Sequence, residues 1–168
     1  MTSSPPVDPR LYRDAIGRFA TGVTVVTVDD GAAPRGMTAN AVTSVSLDPL
    51  LLLVCVAKSA RSHESLERAQ AFAVNVLAEE QRELSDYFAR SSDDVAEPMG
   101  SWGYRRATTG APVLDGVLVW FDCRVTEWLP GGDHSIVVGE VVEVGLEQPD
   151  AAPLLFHAGA YRRLGEPL

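Results

Sequence analysis

The sequence predicts a mainly β protein with a few helices, folded as a closed or half-closed antiparallel barrel. Short apolar and β-branched runs recur between Gly, Pro and Asp turn signals, which is the pattern of many short strands. Only two or three helical stretches interrupt them, without the strand–helix alternation of a parallel sheet. The last third carries two long strand-like runs joined by Pro130-Gly131-Gly132.

The elements follow in chain order. Asp8 is a candidate N-cap with Pro9 at the first helical position, and Tyr12, Ile16 and Phe19 share a face, so residues 9 to about 20 read as an amphipathic helix ended by Gly22. Val23 to Val28 is almost wholly β-branched, and Asp29-Asp30-Gly31 turns it back into Gly36 to Ala39. Leu50 to Val56, after Asp48-Pro49, is continuously apolar and reads as a strand buried on both faces; Phe72 to Leu77 is another apolar strand. Helices are expected from Ser62, as a hydroxyl cap, to about Ala69, and from Glu79 to about Ala89, with Leu84 and Phe88 on one face. Residues 90 to 112 are rich in Gly, Pro, Ser and Asp and read as loop. In Val117 to Leu129, Val119, Phe121 and Cys123 alternate with a polar face of Asp122, Arg124 and Thr126, and the partner strand is Ser135 to Leu146.

At 168 residues the chain fits one domain, assigned to residues 10–168 behind a flexible N-terminal tail of residues 1–9. A net charge of −9 argues against nucleic acid, because phosphate contacts need a clustered basic surface and Arg105-Arg106 and Arg162-Arg163 are too short to supply one. No apolar run approaches the roughly 20 residues that span a bilayer, and residues 1–10 lack the apolar segment of a signal peptide. The two cysteines, Cys55 and Cys123, lie in apolar runs without CxxC spacing and read as small core thiols of a reduced, cytoplasmic protein. His63, His134 and His157 are too widely spaced for a metal site.

One ribbon carries the functional signal. From Gly36 to Cys55 the chain runs through small and hydroxylated residues, Thr38, Ala39, Asn40, Thr43, Ser44 and Ser46, where a core would use bulky ones. Such a ribbon can line a flat aromatic ligand with amides and hydroxyls, or its residues can simply satisfy one another at strand ends. Downstream, Ser59 and Ser62 can cap a helix whose amides and dipole form an anion site, and Lys58, Arg61 and His63 add positive charge suited to phosphate. Gly132-Asp133-His134 is either a hairpin turn with a surface histidine or a second-substrate site.

Leu11 to Val28 (LYRDAIGRFATGVTVVTV), the ribbon, Lys58 to His63 and Gly132-Asp133-His134 together resemble the flavin reductase-like family, over residues 10 to 164 and in the family's order. The resemblance implies an antiparallel Greek-key split β-barrel, the FMN-binding split barrel, usually a homodimer with flavin near the subunit interface. It implies an NAD(P)H-dependent flavin reductase that reduces FMN or FAD with NADH or NADPH and supplies a partner monooxygenase or halogenase. Thr38, Ala39 and Asn40 would bond the polar edge of the isoalloxazine, while Ser44, Val45 and Ser46 pack along the ring or ribityl chain. Cys55, Val56 and Ala57 follow on the next strand, Ser59, Arg61, Ser62 and His63 lie at the phosphate, and His134 orients the nicotinamide. Phe88 and Tyr161 either flank the rings or pack in the core. Ala41 stands where many relatives have serine, and Leu50 follows Asp48-Pro49 in place of a second proline.

No Rossmann GxGxxG opens a helix and no catalytic triad or HExxH is present, which suits chemistry that two cofactors carry themselves. A flavin-holding electron-transfer protein of the same fold is the alternative, and a flavin-dependent oxidase of a small molecule a more distant one.

Overall fold

A computed structural model describes residues 7–90 and 99–167. Residues 1–6 of the expected tail and 91–98 of the expected loop lie outside the described residues. Among the described residues three helices, α1 (Pro9–Ile16), α2 (Arg61–Ala69) and α3 (Arg82–Phe88), accompany twelve strands. These are β1 (Thr21–Gly22), β2 (Thr24–Asp29), β3 (Pro34–Ala39), β4 (Val42–Leu47), β5 (Leu50–Ala57) and β6 (Ala71–Val76), then β7 (Tyr104–Arg106), β8 (Pro112–Leu114), β9 (Val119–Gly131), β10 (His134–Leu146), β11 (Leu155–His157) and β12 (Ala160–Arg162).

The main sheet has the order β3-β2-β6-β9-β10-β5-β4, and each neighbouring pair is antiparallel. Its two edge strands, β3 and β4, are consecutive in the chain with only Asn40 and Ala41 between them. Three Cα–Cα steps reach at most about 11 Å, so the sheet must curl until its edges converge at this corner. No ladder joins β3 to β4, and the sheet is not closed by hydrogen bonds. Helix α2 touches β2, β3, β5 and β6, strands from both halves of the curl. Its Leu66 is buried among Val26, Val54, Val56, Phe72, Val74 and Val137. Gly139 on β10 permits this packing, since a Cβ there would stand 2.8 Å from the Phe72 ring. A second core, including Val25, Leu77, Leu84, Phe88 and Val113, packs α3 and the β7–β8 hairpin against the sheet.

Several expectations are corrected. Helix α1 stops at Ile16, because the Gly17 N–H bonds back to Arg13 and the next two amides bond to Ala15 and Ile16, tightening the chain into a turn. Phe19 therefore leaves the helix, and no residue of α1 is buried. Helix α2 begins at Arg61, with Ala60 as an N-cap that offers no side-chain bond, so Ser62 is a buried residue of the first turn and not the cap. The third expected helix opens as a 3-10 turn, Glu79–Gln81, before α3. Strand β5 alternates: Leu52, Val54 and Val56 are buried, whereas Leu51, Leu53 and Cys55 are half-buried on the other face. Asp122, placed by the alternation on the polar face of its strand, is fully buried, its carboxylate accepting from Thr109 N at 2.8 Å and Thr109 Oγ1 at 2.6 Å. The expected loop of residues 90 to 112 contains β7 and ends on the first residue of its hairpin partner β8.

Candidate functional site

The outer face of β4, β5 and β10 is left bare by both cores and borders a groove of about 1390 Å³, walled on the other side by the turn from Gly17 to Thr21. Of the ribbon, Asn40, Ala41, Val42, Thr43, Ser44 and Ser46 line this groove, and Cys55 joins them from the half-buried face of β5. Cys55 is thus not a core thiol, whereas Cys123 is buried and its thiol is pushed up to about 12, chiefly by burial and then by the Asp122 charge. The ribbon comprises most of edge strand β3, the Asn40–Ala41 link, edge strand β4 and most of β5. Asn40 and Ala41 lie outside both ladders, and the Ala41 carbonyl accepts from Cys55 N at 3.0 Å, which fixes the link beside the end of β5. A β-bulge between Ser44 and Ser46 leaves Val45 exposed.

A second group meets at the same, C-terminal end of β5. His134 opens β10 opposite Ala57, after the two-residue turn Gly132-Asp133, in which Gly132 takes φ +73°. Lys58 fastens this turn twice, its N–H to the Asp133 carbonyl at 3.0 Å and its Nζ to the Gly132 carbonyl at 2.7 Å. The His134 ring is partly exposed, with Nδ1 2.8 Å from Asp133 Oδ1; the Asp133 carboxyl is held below its usual range by that hydrogen bond and by the histidine's charge. Ser59 and Arg61 are exposed at the start of α2, which lacks a side-chain cap. Ser62 is buried, and His63 Nε2 is 2.9 Å from Ser135 Oγ.

Thr38, Tyr161 and Phe88 gather at α3. Thr38 Oγ1 donates to the Ser85 carbonyl at 2.7 Å, and Ser85 Oγ is 2.8 Å from the Tyr161 hydroxyl, which donates to Asp86 at 3.0 Å. Burial holds the Tyr161 phenol above its ordinary range, with the Ser85 bond opposing it. Phe88 is in the core, against Gly36, where a Cβ would be 2.6 Å from its ring. The Val56 side chain points into the other core, so only its backbone reaches the β5 end. Ala39 is half-buried at the end of β3.

Among the described residues no group of His, Cys, Asp or Glu could hold a metal ion, and no helix is long and apolar enough to cross a membrane. Sequence reasoning missed Ser135, Trp128 and Ser85 as partners of His63 and Tyr161, and Phe19 as a wall of the groove. Ser135 had a visible signal, a hydroxyl in phase with the buried Val137 of β10.

Residues 16–165 match the family model described as flavin reductase like domain. A "Probable flavin reductase" of Rhizobium meliloti (strain 1021) is 50% identical over 135 residues, which is 80% of this chain and 42% of that protein. The "Flavin-dependent trigonelline monooxygenase, reductase component" of Acinetobacter baylyi is 45% identical over 154 residues, 90% of this chain and 48% of its own length. The chain thus spans about half the length of these curated relatives. The solved NADH:FAD oxidoreductase SgcE6 of Streptomyces globisporus C-1027, in complex with NAD and FAD fragments, superposes with a TM-score of 0.87 at 38% identity, covering 96% of this chain and 98% of that one. The chain belongs to the flavin reductase like domain family.

Proposed function

We propose that the protein is an NAD(P)H:flavin oxidoreductase that reduces FMN or FAD with NADH or NADPH and hands the reduced flavin to a partner monooxygenase or halogenase. The observation that carries this reading is the convergence, around the end of β5, of the Asn40–Ala41 link, the uncapped start of α2 and the His134 turn, in a chain of this family. The residues fit a flavin: amides and hydroxyls of a strand edge for its polar rim, and a helix dipole with Ser59 and Arg61 for its phosphate.

The chemistry supplied by the bound flavin is acceptance of a hydride from reduced nicotinamide, so the protein's task is to bind and orient. The Thr38 to Asn40 backbone and the Asn40 side chain hold the polar rim, while Ser44, Val45, Ser46 and Cys55 pack along the ring or ribityl chain. The Val56 and Ala57 backbone borders it, and the start of α2 with Ser59, Arg61 and Ser62 holds the phosphate. His134 orients the nicotinamide by hydrogen bonding. Tyr161 stands behind Thr38 through Ser85, and Phe88 supports the ribbon from the core and does not stack on a ligand.

The reading includes a split barrel with Greek-key connections, one domain over residues 10–168 behind a flexible tail, and a cytoplasmic homodimer. The bare apolar face supports the dimer. Phe19 is 72% exposed and Leu47 84%, with Ile16, Leu50, Val144 and Leu146 also open. The groove exceeds the roughly 300–1,000 Å³ of a small-molecule site, leaving room for a second copy to cover part of it. The test is NADH and NADPH consumption under air with added FMN or FAD and no partner. Turnover that rises with added flavin supports the reading. A tightly yellow protein indifferent to added flavin replaces it with the electron-transfer alternative.

A further inference from the structure

We propose that His63 is a positioning residue and not a phosphate ligand: with Ser135 and Trp128 it clamps the turn bearing His134 to the first turn of α2. The His63 ring stands edge-on to Trp128, centroids 5.1 Å apart and planes at 88°, while its Nε2 is 2.9 Å from Ser135 Oγ. Ser135 is only 3% exposed, and His63 is half-buried. Ser135 is the residue after His134, held in register between Val56 of β5 and Pro130 of β9. Trp128 lies opposite Val137, so the clamp grips both strands of the hairpin.

The need for a clamp follows from the turn. Asp133 is 94% exposed and the hairpin tip has no core of its own, so its position relative to α2 depends on tethers. Lys58 supplies two of them on the N-terminal side of His134, through the carbonyls of Gly132 and Asp133. His63 supplies the tether on the C-terminal side. On the proposed function, on which this inference rests, the two ends being tethered are the phosphate site and the nicotinamide site. A misplacement of about 1 Å between such groups can cost a hundredfold in rate, which makes the separation worth fixing.

The test uses the full chain, with NADH and flavin kinetics and hydrogen–deuterium exchange. His63→Phe keeps the aromatic contact and removes the hydrogen bond; Ser135→Ala removes it from the other side; His63→Gln retains an amide that can reach Ser135. His63→Phe and Ser135→Ala are each expected to raise the NADH KM by roughly three- to tenfold, more than they lower kcat, with the flavin KM moving less than about twofold. The double variant is expected to be no worse than the worse single one, and His63→Gln to recover most of the loss. Amides of residues 132–135 should exchange roughly tenfold faster in His63→Phe while those of β2 and β6 do not change. A flavin KM that rises as much as the NADH KM, multiplicative effects in the double variant, or unchanged exchange at the turn would each overturn the clamp. If the wild type itself fails to oxidise NADH with flavin, the proposed function falls, and the exchange measurement alone decides the clamp.

Discussion

Two polar clusters in this protein are built on opposite plans. Beneath β2 and β6, Asn75 Nδ2 donates to the Val25 carbonyl and to Thr27 Oγ1, both at 3.0 Å, and Asn75 Oδ1 accepts from Leu114 N at 2.9 Å. The Thr27 hydroxyl in turn donates to the Pro112 carbonyl. Asn75 and Thr27 are both fully buried, and the cluster stitches β8 to the main sheet. At the C-terminal end of β5, by contrast, Ser59, Arg61 and His134 lie at the surface, on turns whose own backbones are tied down. A buried polar group is costly unless bonded, so the first cluster is consumed by the fold. The second stands at the surface, where a ligand can reach it.

That contrast is broken most directly at Asn75. Asn75→Leu leaves the Leu114 N–H buried without its acceptor and should cost about 2–4 kcal/mol of stability, read as a fall in Tm and in the denaturant midpoint. The NADH and flavin constants of the protein that remains folded should stay within about twofold of wild type. A stability loss below about 0.5 kcal/mol would mean the cluster is not the fastening described.

The same contrast explains what could be read from the sequence. The strand runs were legible because β-branched alternation is local, and the motifs at Lys58–His63 and Gly132–His134 were legible because each lies on a single turn. Where structure depended on distant partners, the reading slipped. The alternation puts Asp122 on a polar face but cannot show that it is buried, because Thr109, which satisfies it, is 13 residues away. Leu50 to Val56 reads as buried on both faces because the bare wall of the groove uses the same residue types as the core. Phe19 sat in helical phase, yet the Gly17 cap ended the helix before it. The ribbon is one continuous segment in the sequence, and its division between opposite edges of the sheet follows from the strand order, which no local pattern encodes.

At the outward cluster the expected effects are on binding and not on stability. His134→Ala should raise the NADH or NADPH KM by about tenfold, equivalent to about 1.4 kcal/mol, and leave flavin affinity within about twofold. Arg61→Ala should do the reverse, weakening flavin by several-fold, and its effect should shrink as salt rises from about 0.05 to 0.5 M, where the Debye length falls below about 5 Å. Both variants should keep Tm within about 2 °C of wild type, since both side chains are exposed or partly so. Identical steady-state constants for wild type and either variant would remove that residue's role.

The smallest effect lies between the two plans, at Asp30. Its carboxylate is nearly enclosed but pairs with an exposed partner: Arg68 donates to Oδ2 from Nε at 2.9 Å and from Nη2 at 2.5 Å, and Ala32 N donates to Oδ1 at 3.1 Å. The Arg68 guanidinium first, and the Ala32 amide second, hold the Asp30 carboxyl well below the usual carboxylate range. A carboxyl whose folded pKa is depressed binds its proton more readily in the unfolded chain. Its stabilisation is therefore complete above the unfolded value of about 3.9 and drains away as pH falls below it. Because Arg68 is more than half exposed, solvent screens the pair and the contribution is modest. Asp30→Asn should lower Tm slightly at pH 7, and the gap to wild type should narrow once pH drops below about 4. If the gap is as wide at pH 3 as at pH 7, Asp30 holds α2 to the β2–β3 turn by shape and hydrogen bonding, and belongs with Asn75 among the groups consumed by the fold.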